Sequence, residues 1–305
     1  LVKVLVATSQ GCIAVSEAGE REIELPQRPF SALSAERGGS CLAVVERNEI
    51  WRRGLDRQWV QLATADINLQ SIASSNGFIF AGASEEAAII RVSAKGGTER
   101  LIGFDNCPGR DGWFANGPPL GVRSLAVTGD DSAIVAAVHV GGLPYSSDRG
   151  NTWTPTIPIL FDVHEVSAHP TMPNLVAAAT AVGLCVSDDC GQTWRVISEG
   201  LEIKNSLALA VLDDQILLCV ADGPFAKQSQ ILRWQIGSDQ FVLLRDGLPE
   251  WLDGKVDTAQ ITTSGDRVAF VDGGGNLWLS AAGATGWTCL ASDIPYPVGI
   301  STLTA

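Results

Sequence analysis

This chain of 305 residues has one Met, two Tyr and three His, and no Cys-x-x-Cys pair. So little Met, against 32 Gly, 14 Pro and nine Trp, favours short strands and many turns over packed helices. Seven Cys make an odd count, and Cys12, Cys185 and Cys219 fall in apolar, strand-like runs. Most are read as small buried hydrophobes of a reducing compartment. No apolar run reaches the roughly 18 residues that cross a bilayer. The opening Leu-Val-Lys-Val-Leu-Val lacks the core and cleavage site of a signal peptide. The expectation is a cytoplasmic protein with no membrane partner. Basic residues are also scarce: 21 Lys and Arg against 34 Asp and Glu give a net charge of −13, with no basic stripe. That excludes the usual nucleic-acid binder. No Walker loop, dinucleotide fingerprint or G-x-S-x-G elbow occurs. An apolar share of 46% excludes a disordered chain.

What the sequence does have is an internal repeat. Residues 146–153 and 187–194 both read S-x-D-x-G-x-T-W and lie 41 residues apart. A decayed copy runs from Ser280 to Trp287, and a fainter one ends at Trp59. Each follows an alternating run, a turn, a second apolar run and a short third one, which makes four strands per unit. Seven units begin near Lys3, Phe30, Leu69, Val122, Val163, Ser206 and Val256. The first lacks an opening strand, and a spare one sits at Val298 to Leu303. Pairing the two ends removes the exposed sheet edge. The prediction is an all-β, seven-bladed β-propeller of four-stranded antiparallel blades, one domain over residues 1–305, closed by its C-terminal strand.

In the box, Ser and Asp side chains bond the turn's own amides, Gly permits positive φ, and Trp anchors the hairpin. The sequence resembles the BNR or Asp-box repeat propellers, which include sialidases, sortilin-type receptor domains and photosystem assembly factors. The resemblance implies that the boxes lie on the outer rim, away from the binding face. Ser146, Asp148, Gly150, Trp153, Ser187, Asp189, Gly191 and Trp194 are therefore structural. Sialidase chemistry needs an Arg cluster and a Tyr–Glu pair. Here Tyr145 sits beside a box, Tyr296 lies in the final connection, and Arg28-Pro29 is a poor substitute for the family's Arg-Ile-Pro motif. Sialidase activity is not expected.

In propellers the usual ligand face is the mouth of the central channel. The second residues of the first strands in units two to seven are Ser31, Gln70, Arg123, His164, Leu207 and Asp257. This mostly polar ring stands above an apolar plug. His139 and His164 fall in adjacent units on the same face, with Asp162 and Glu165 flanking His164. Two imidazoles with carboxylates suit a divalent metal: zinc, manganese or iron. The alternatives are bonds to neighbouring wall groups or to an organic ligand. Two long connections, Phe104 to Leu120 and Leu248 to Lys255, should reach the mouth and bring Trp113, Asn116, Trp251 and Asp253. A Trp beside polar groups suits a sugar or ring platform, or packs its own loop.

Two functions remain open. One is a non-catalytic binding or scaffold propeller that holds a protein, peptide or glycan at the mouth. The other is a metal-assisted hydrolase or lyase. In it His139, His164 and Asp257 or Asp162 would bind the ion, Glu165 would be the base, and Arg123 would hold an anionic group.

Overall fold

A computed structural model describes residues 3–114, 119–223, 225–295 and 297–303. They form seven antiparallel sheets arranged as a seven-bladed β-propeller. Six sheets have four strands, and the sixth blade adds a fifth, Leu252–Asp253, on Gln228–Gln235. The innermost strands touch one another in sequence around the ring. Six of the seven unit starts read from the sequence coincide with strand starts: Lys3–Thr8, Phe30–Ala35, Leu69–Ser75, Val122–Val127, Val163–Ala168 and Ser206–Val211.

The exception is the seventh unit. Its inner strand is Ile261–Ser264, so Asp257 lies before the strand and not at its second position. Residues 257–260 form a turn instead, with the Gln260 amide on the Asp257 carbonyl at 3.0 Å and Ala259 at φ 61°. The Gln260 side chain holds the turn by accepting the Asp257 amide and donating to the Pro297 carbonyl. No hydrophobic periodicity announces such a turn.

Second strands such as Cys41–Val45, Ile134–Val138 and Val176–Thr180 are buried end to end, because neighbouring blades cover both faces. That is why they read as continuous apolar runs without alternation. Their Ala-rich stretches, such as Ala177 to Ala179, let the blades approach closely. Outer strands such as Thr98–Arg100 face water. The core is therefore a set of layers between blades. The ring closes as expected: Pro297–Leu303 pairs with Lys3–Thr8, so the first blade is built from both ends of the chain. Cys12, Cys41, Cys107, Cys185 and Cys219 are buried; Cys289 is exposed.

The two S-x-D-x-G-x-T-W segments make the same bonds. Ser146 Oγ accepts the Gly150 amide at 2.9 Å and donates to Asp148 Oδ1 at 2.9 Å. Asp148 also accepts the Thr152 amide and hydroxyl at 2.9 and 2.7 Å. The Trp153 indole donates to the Gly150 carbonyl at 2.9 Å. Ser187, Asp189, Gly191, Thr193 and Trp194 repeat the pattern. Burial opposes both Asp charges, but the Thr hydroxyl and amide bonds prevail and hold the carboxyls below their usual range. Both segments join third to fourth strands, which places them at the end of the ring opposite the mouth. In the decayed copy the buried Trp287 indole N–H has no partner among the described residues.

The Trp153 ring meets Phe104 edge to face at 5.1 Å and ties the third blade's layer to the fourth. Gly191, at φ 98°, leaves no room: a Cβ there would stand 2.6 Å from Val135 Cγ2. In urea unfolding Trp153→Ala should cost about 3–5 kcal/mol, and Gly191→Ala about 1–3 kcal/mol. Values well under about 1 kcal/mol, the range of ordinary surface substitutions, would mean that the boxes do not anchor the blades.

Candidate ligand site at the channel mouth

The inner strands share a defect. In blades two to six the ladder slips after the first residue, between Phe30 and Ala32, Leu69 and Ser71, Val122 and Ser124, Val163 and Glu165, and Ser206 and Ala208. The skipped residues are Ser31, Gln70, Arg123, His164 and Leu207. The closing strand slips likewise, opposite Ala7 and Thr8, and skips Val298. A bulged residue leaves the ladder and re-aims its side chain. All six line one cavity of about 770 Å³ at the mouth, joined by His139, Asp162 and Asp257. The bulge brings five of the ring positions read from the sequence, Ser31, Gln70, Arg123, His164 and Leu207, to one cavity, while the sixth, Asp257, reaches it from the 257–260 turn.

His139 follows the strand Ile134–Val138, and its Nδ1 lies 3.2 Å from the Pro119 carbonyl. His164 Nδ1 lies 2.7 Å from the Ser206 carbonyl. A carbonyl only accepts, so each Nδ1 carries its proton. In the neutral rings each Nε2 then presents a bare lone pair. Both face Asp162, at 3.7 Å from Oδ1 for His139 and 3.7 Å from Oδ2 for His164. Asp162 caps the short turn Ile159–Phe161 at φ 45°. Its Oδ1 is buried with no hydrogen-bond partner among the described residues. Arg123 stands 4.0 Å from that oxygen. Burial lowers the His164 pKa, and the Arg123 charge adds to the effect; burial likewise lowers that of Arg123. The mouth thus gathers acceptors, with Arg123 and the Gln70 amide as donors beside them.

The structure separates the remaining candidates. Asp257 reaches the cavity but is paired with Lys255 at 3.0 Å. Burial opposes its charge, yet Lys255 and the Thr258 amide outweigh this and hold the carboxyl below its usual range. Among the described residues no group of three or more His, Cys, Asp or Glu is set for a metal ion. Trp113, read as either a platform or a packing residue of its own loop, is 7% exposed and packs on Phe104 at 5.6 Å, with Arg110 over its face. It anchors its own loop. Asn116 lies outside the described residues. Trp251 is 38% exposed but stands away from the axis, over the sixth blade. Asp253 lies in the added fifth strand and does not line the mouth.

Glu165, the candidate base of the hydrolase alternative, does not line the mouth with the others. Its carboxylate accepts the Leu209 amide at 3.1 Å and the Ala259 amide at 3.2 Å. It clasps blades five, six and seven from inside, beside a separate hollow of about 260 Å³ in the channel. Ser71 and Ser124, at the equivalent position of their strands, make single bonds to the next blade. Contributors to the mouth that the sequence reading did not place there include Lys255, Asn205 and Phe225. Phe225 is 92% exposed. A lone Phe after Gly223-Pro224 belongs to no periodic run, so only its unusual place in a turn marked it.

No family model matches this chain, and no curated protein does. Solved structures do. The GH74 xyloglucanase of Xanthomonas campestris aligns at 17% identity with a TM-score of 0.64, over 87% of this chain and 45% of that one. An ancestral GH74 enzyme aligns at 11% identity and 0.62, over 90% and 38%. The Niastella koreensis GH74 enzyme aligns at 14% and 0.59, over 94% and 46%. These likenesses show the fold alone. The chain spans less than half the length of each of these structures. The resemblance to the Asp-box propellers rests on the two repeated segments.

Burial pushes the Glu165 carboxyl up from 4.5 to about 8, and its two amide bonds only partly oppose this. A carboxyl with a native pKa above its unfolded value holds its proton more tightly when folded. Stability should therefore fall as pH rises from about 4.5 to about 8, by at most about 1.4 kcal/mol per pH unit. Denaturation midpoints of the wild type and Glu165→Gln across that range check this. The variant should show a shallower slope, whatever its absolute stability; an equal slope would discard the assignment.

Proposed function

We propose that this chain is a non-catalytic binding propeller whose channel mouth holds a neutral saccharide. The observation that carries the reading is one cavity that combines a fully presented aromatic, Phe225, with the acceptor cluster of Asp162, His139 and His164. A sugar hydroxyl both donates and accepts. It can give its proton to Asp162 Oδ2 or a bare imidazole nitrogen and accept from Arg123 or Gln70. The apolar face of the ring can rest on Phe225. The charges at the mouth come in opposite pairs, Arg123 with Asp162 and Lys255 with Asp257, so a net-charged ligand gains little. One structural neighbour is a xyloglucanase, which adds a fold-level analogy to glycan binding. Glu165 is engaged by two amides away from this cluster, so it is not the base of a hydrolytic site there.

Titration calorimetry against xyloglucan oligosaccharides and other neutral sugars tests this. Asp162→Asn, which suits the left-handed backbone, should weaken binding about tenfold to a hundredfold. Phe225→Ala should weaken it as well, with no sugar released from the probes. Binding to none of them, or binding indifferent to both substitutions, would refute the reading.

A second reading, a divalent metal on His139, His164 and Asp162, is favoured by the two imidazoles whose Nδ1–H bonds leave Nε2 bare. Elemental analysis decides it. About one zinc, manganese or iron per chain, lost in His139→Ala/His164→Ala, supports a metal site. A metal-free protein refutes it.

A further inference from the structure

The mouth cavity does not end at the ring. Phe225 lies between the second and third strands of the sixth blade, Gln215–Val220 and Gln228–Gln235, on the mouth face. On either side of it in the chain, Asp222, Ala226 and Lys227 line a second hollow of about 340 Å³ together with Ile203, Gln228 and Trp251. The same Ile203 and Trp251 line a third hollow of about 390 Å³, which reaches Gln230, Arg245 and Glu250. Three adjoining hollows thus run outward over one blade, with Phe225 in the first and Trp251 shared by the second and third. Trp251 is held there by the added strand Leu252–Asp253, which pairs with Ser229 and Gln228. The two aromatics are among the few large hydrophobics that the described surface leaves open.

The track suits a chain of polar, uncharged units. Its ion pair, Arg245 with Glu250 at 3.2 Å, is closed on itself, as are those at the mouth. Asp222 and Lys227 add one charge of each sign and make no side-chain bond among the described residues. Nothing here attracts a polyanion, and the net charge of −13 repels one. An extended peptide would need free backbone groups to pair with. Beside the second hollow two of these are taken: the Ala221 amide bonds the Asn205 carbonyl, and the Gly254 amide bonds the Lys227 carbonyl. Aromatic faces set apart, with polar side chains between them, fit successive sugar rings.

Resting on the saccharide reading of the mouth, we infer that the ligand is a linear neutral oligosaccharide. It starts at the channel mouth and extends across the sixth blade over Phe225 and then Trp251. Trp251 is a distal platform that only longer chains reach.

Calorimetry with cellobiose, cellotetraose and cellohexaose separates this from the mouth reading. In the wild type affinity should rise at least tenfold from the shortest to the longest. In Trp251→Ala that gain should vanish, and Trp251→Phe should restore part of it. Asp162→Asn should weaken every length alike. Equal melting temperatures establish that the variants are folded. If cellobiose binds in an Asp162-dependent way but length adds nothing, the track is overturned and the mouth reading stands. The track also falls if Trp251→Ala keeps the full length dependence. If no member binds, the track falls; if the xyloglucan oligosaccharides and other neutral sugars fail as well, both fall.

Discussion

The pairing of Pro297–Leu303 with Lys3–Thr8 is the constraint on which the rest depends. Second strands such as those of blades two, four and five are apolar on both faces, so a blade without two neighbours exposes a hydrophobic layer. An open ring has two such faces and two bare strand edges. Closure covers all of them with one strand. It also supplies the first blade's inner strand, and with it the bulge that turns Val298 to the mouth. Further clasps hold the inner strands around the axis. Ser31 bonds the Leu69 carbonyl, Ser71 the Val122 carbonyl, and Glu165 the amides of two blades at once.

The site follows from one repeated irregularity of that scaffold. A regular ladder would point every inner side chain along the blade faces, into the layers between blades. The bulge at the head of each of these inner strands frees one residue per blade, and the ring's symmetry brings those residues to one place. The seventh blade departs from the pattern with its 257–260 turn, and that turn carries Asp257 and the Ala259 amide that Glu165 uses. The imidazoles are held by carbonyls of neighbouring segments, so their orientation belongs to the scaffold and not to a ligand. On the proposed saccharide reading, specificity at the mouth rests on a small set of pre-aimed acceptors and donors, with aromatic surface leading outward from it.

Much of this was legible in the sequence. The 41-residue spacing of the two boxes, the continuous apolar runs and the misplaced terminal strand imply the ring and its closure, because strand period and repeat length are local properties of the chain. The polar residues at the second position of the inner strands of blades two to five, Ser31, Gln70, Arg123 and His164, marked the mouth before their bulges were visible. The roles of three aromatics were not legible. Trp113, Trp251 and Phe225 all sit in connections among polar and glycine residues. One is packed under its loop, one lines hollows over the sixth blade, and one stands at the mouth. Which of these an aromatic does depends on whether another blade covers it, and no local pattern encodes that.

Glu165 makes the same point for charge. As a carboxylate beside a histidine it reads as chemistry; in the ring its oxygens meet amides from residues 209 and 259, far away in sequence. The sequence by itself determined the blades, their number, the way the ends meet and several of the polar residues near the axis, such as Gln70, Arg123 and His164, since these follow from periodicity and residue type. Only the tertiary structure decided which of those residues share a cavity, which are spent as clasps between blades, and which aromatics remain open. Those outcomes are set by contacts between separate blades, where burial and hydrogen-bond partners come from residues far apart along the chain.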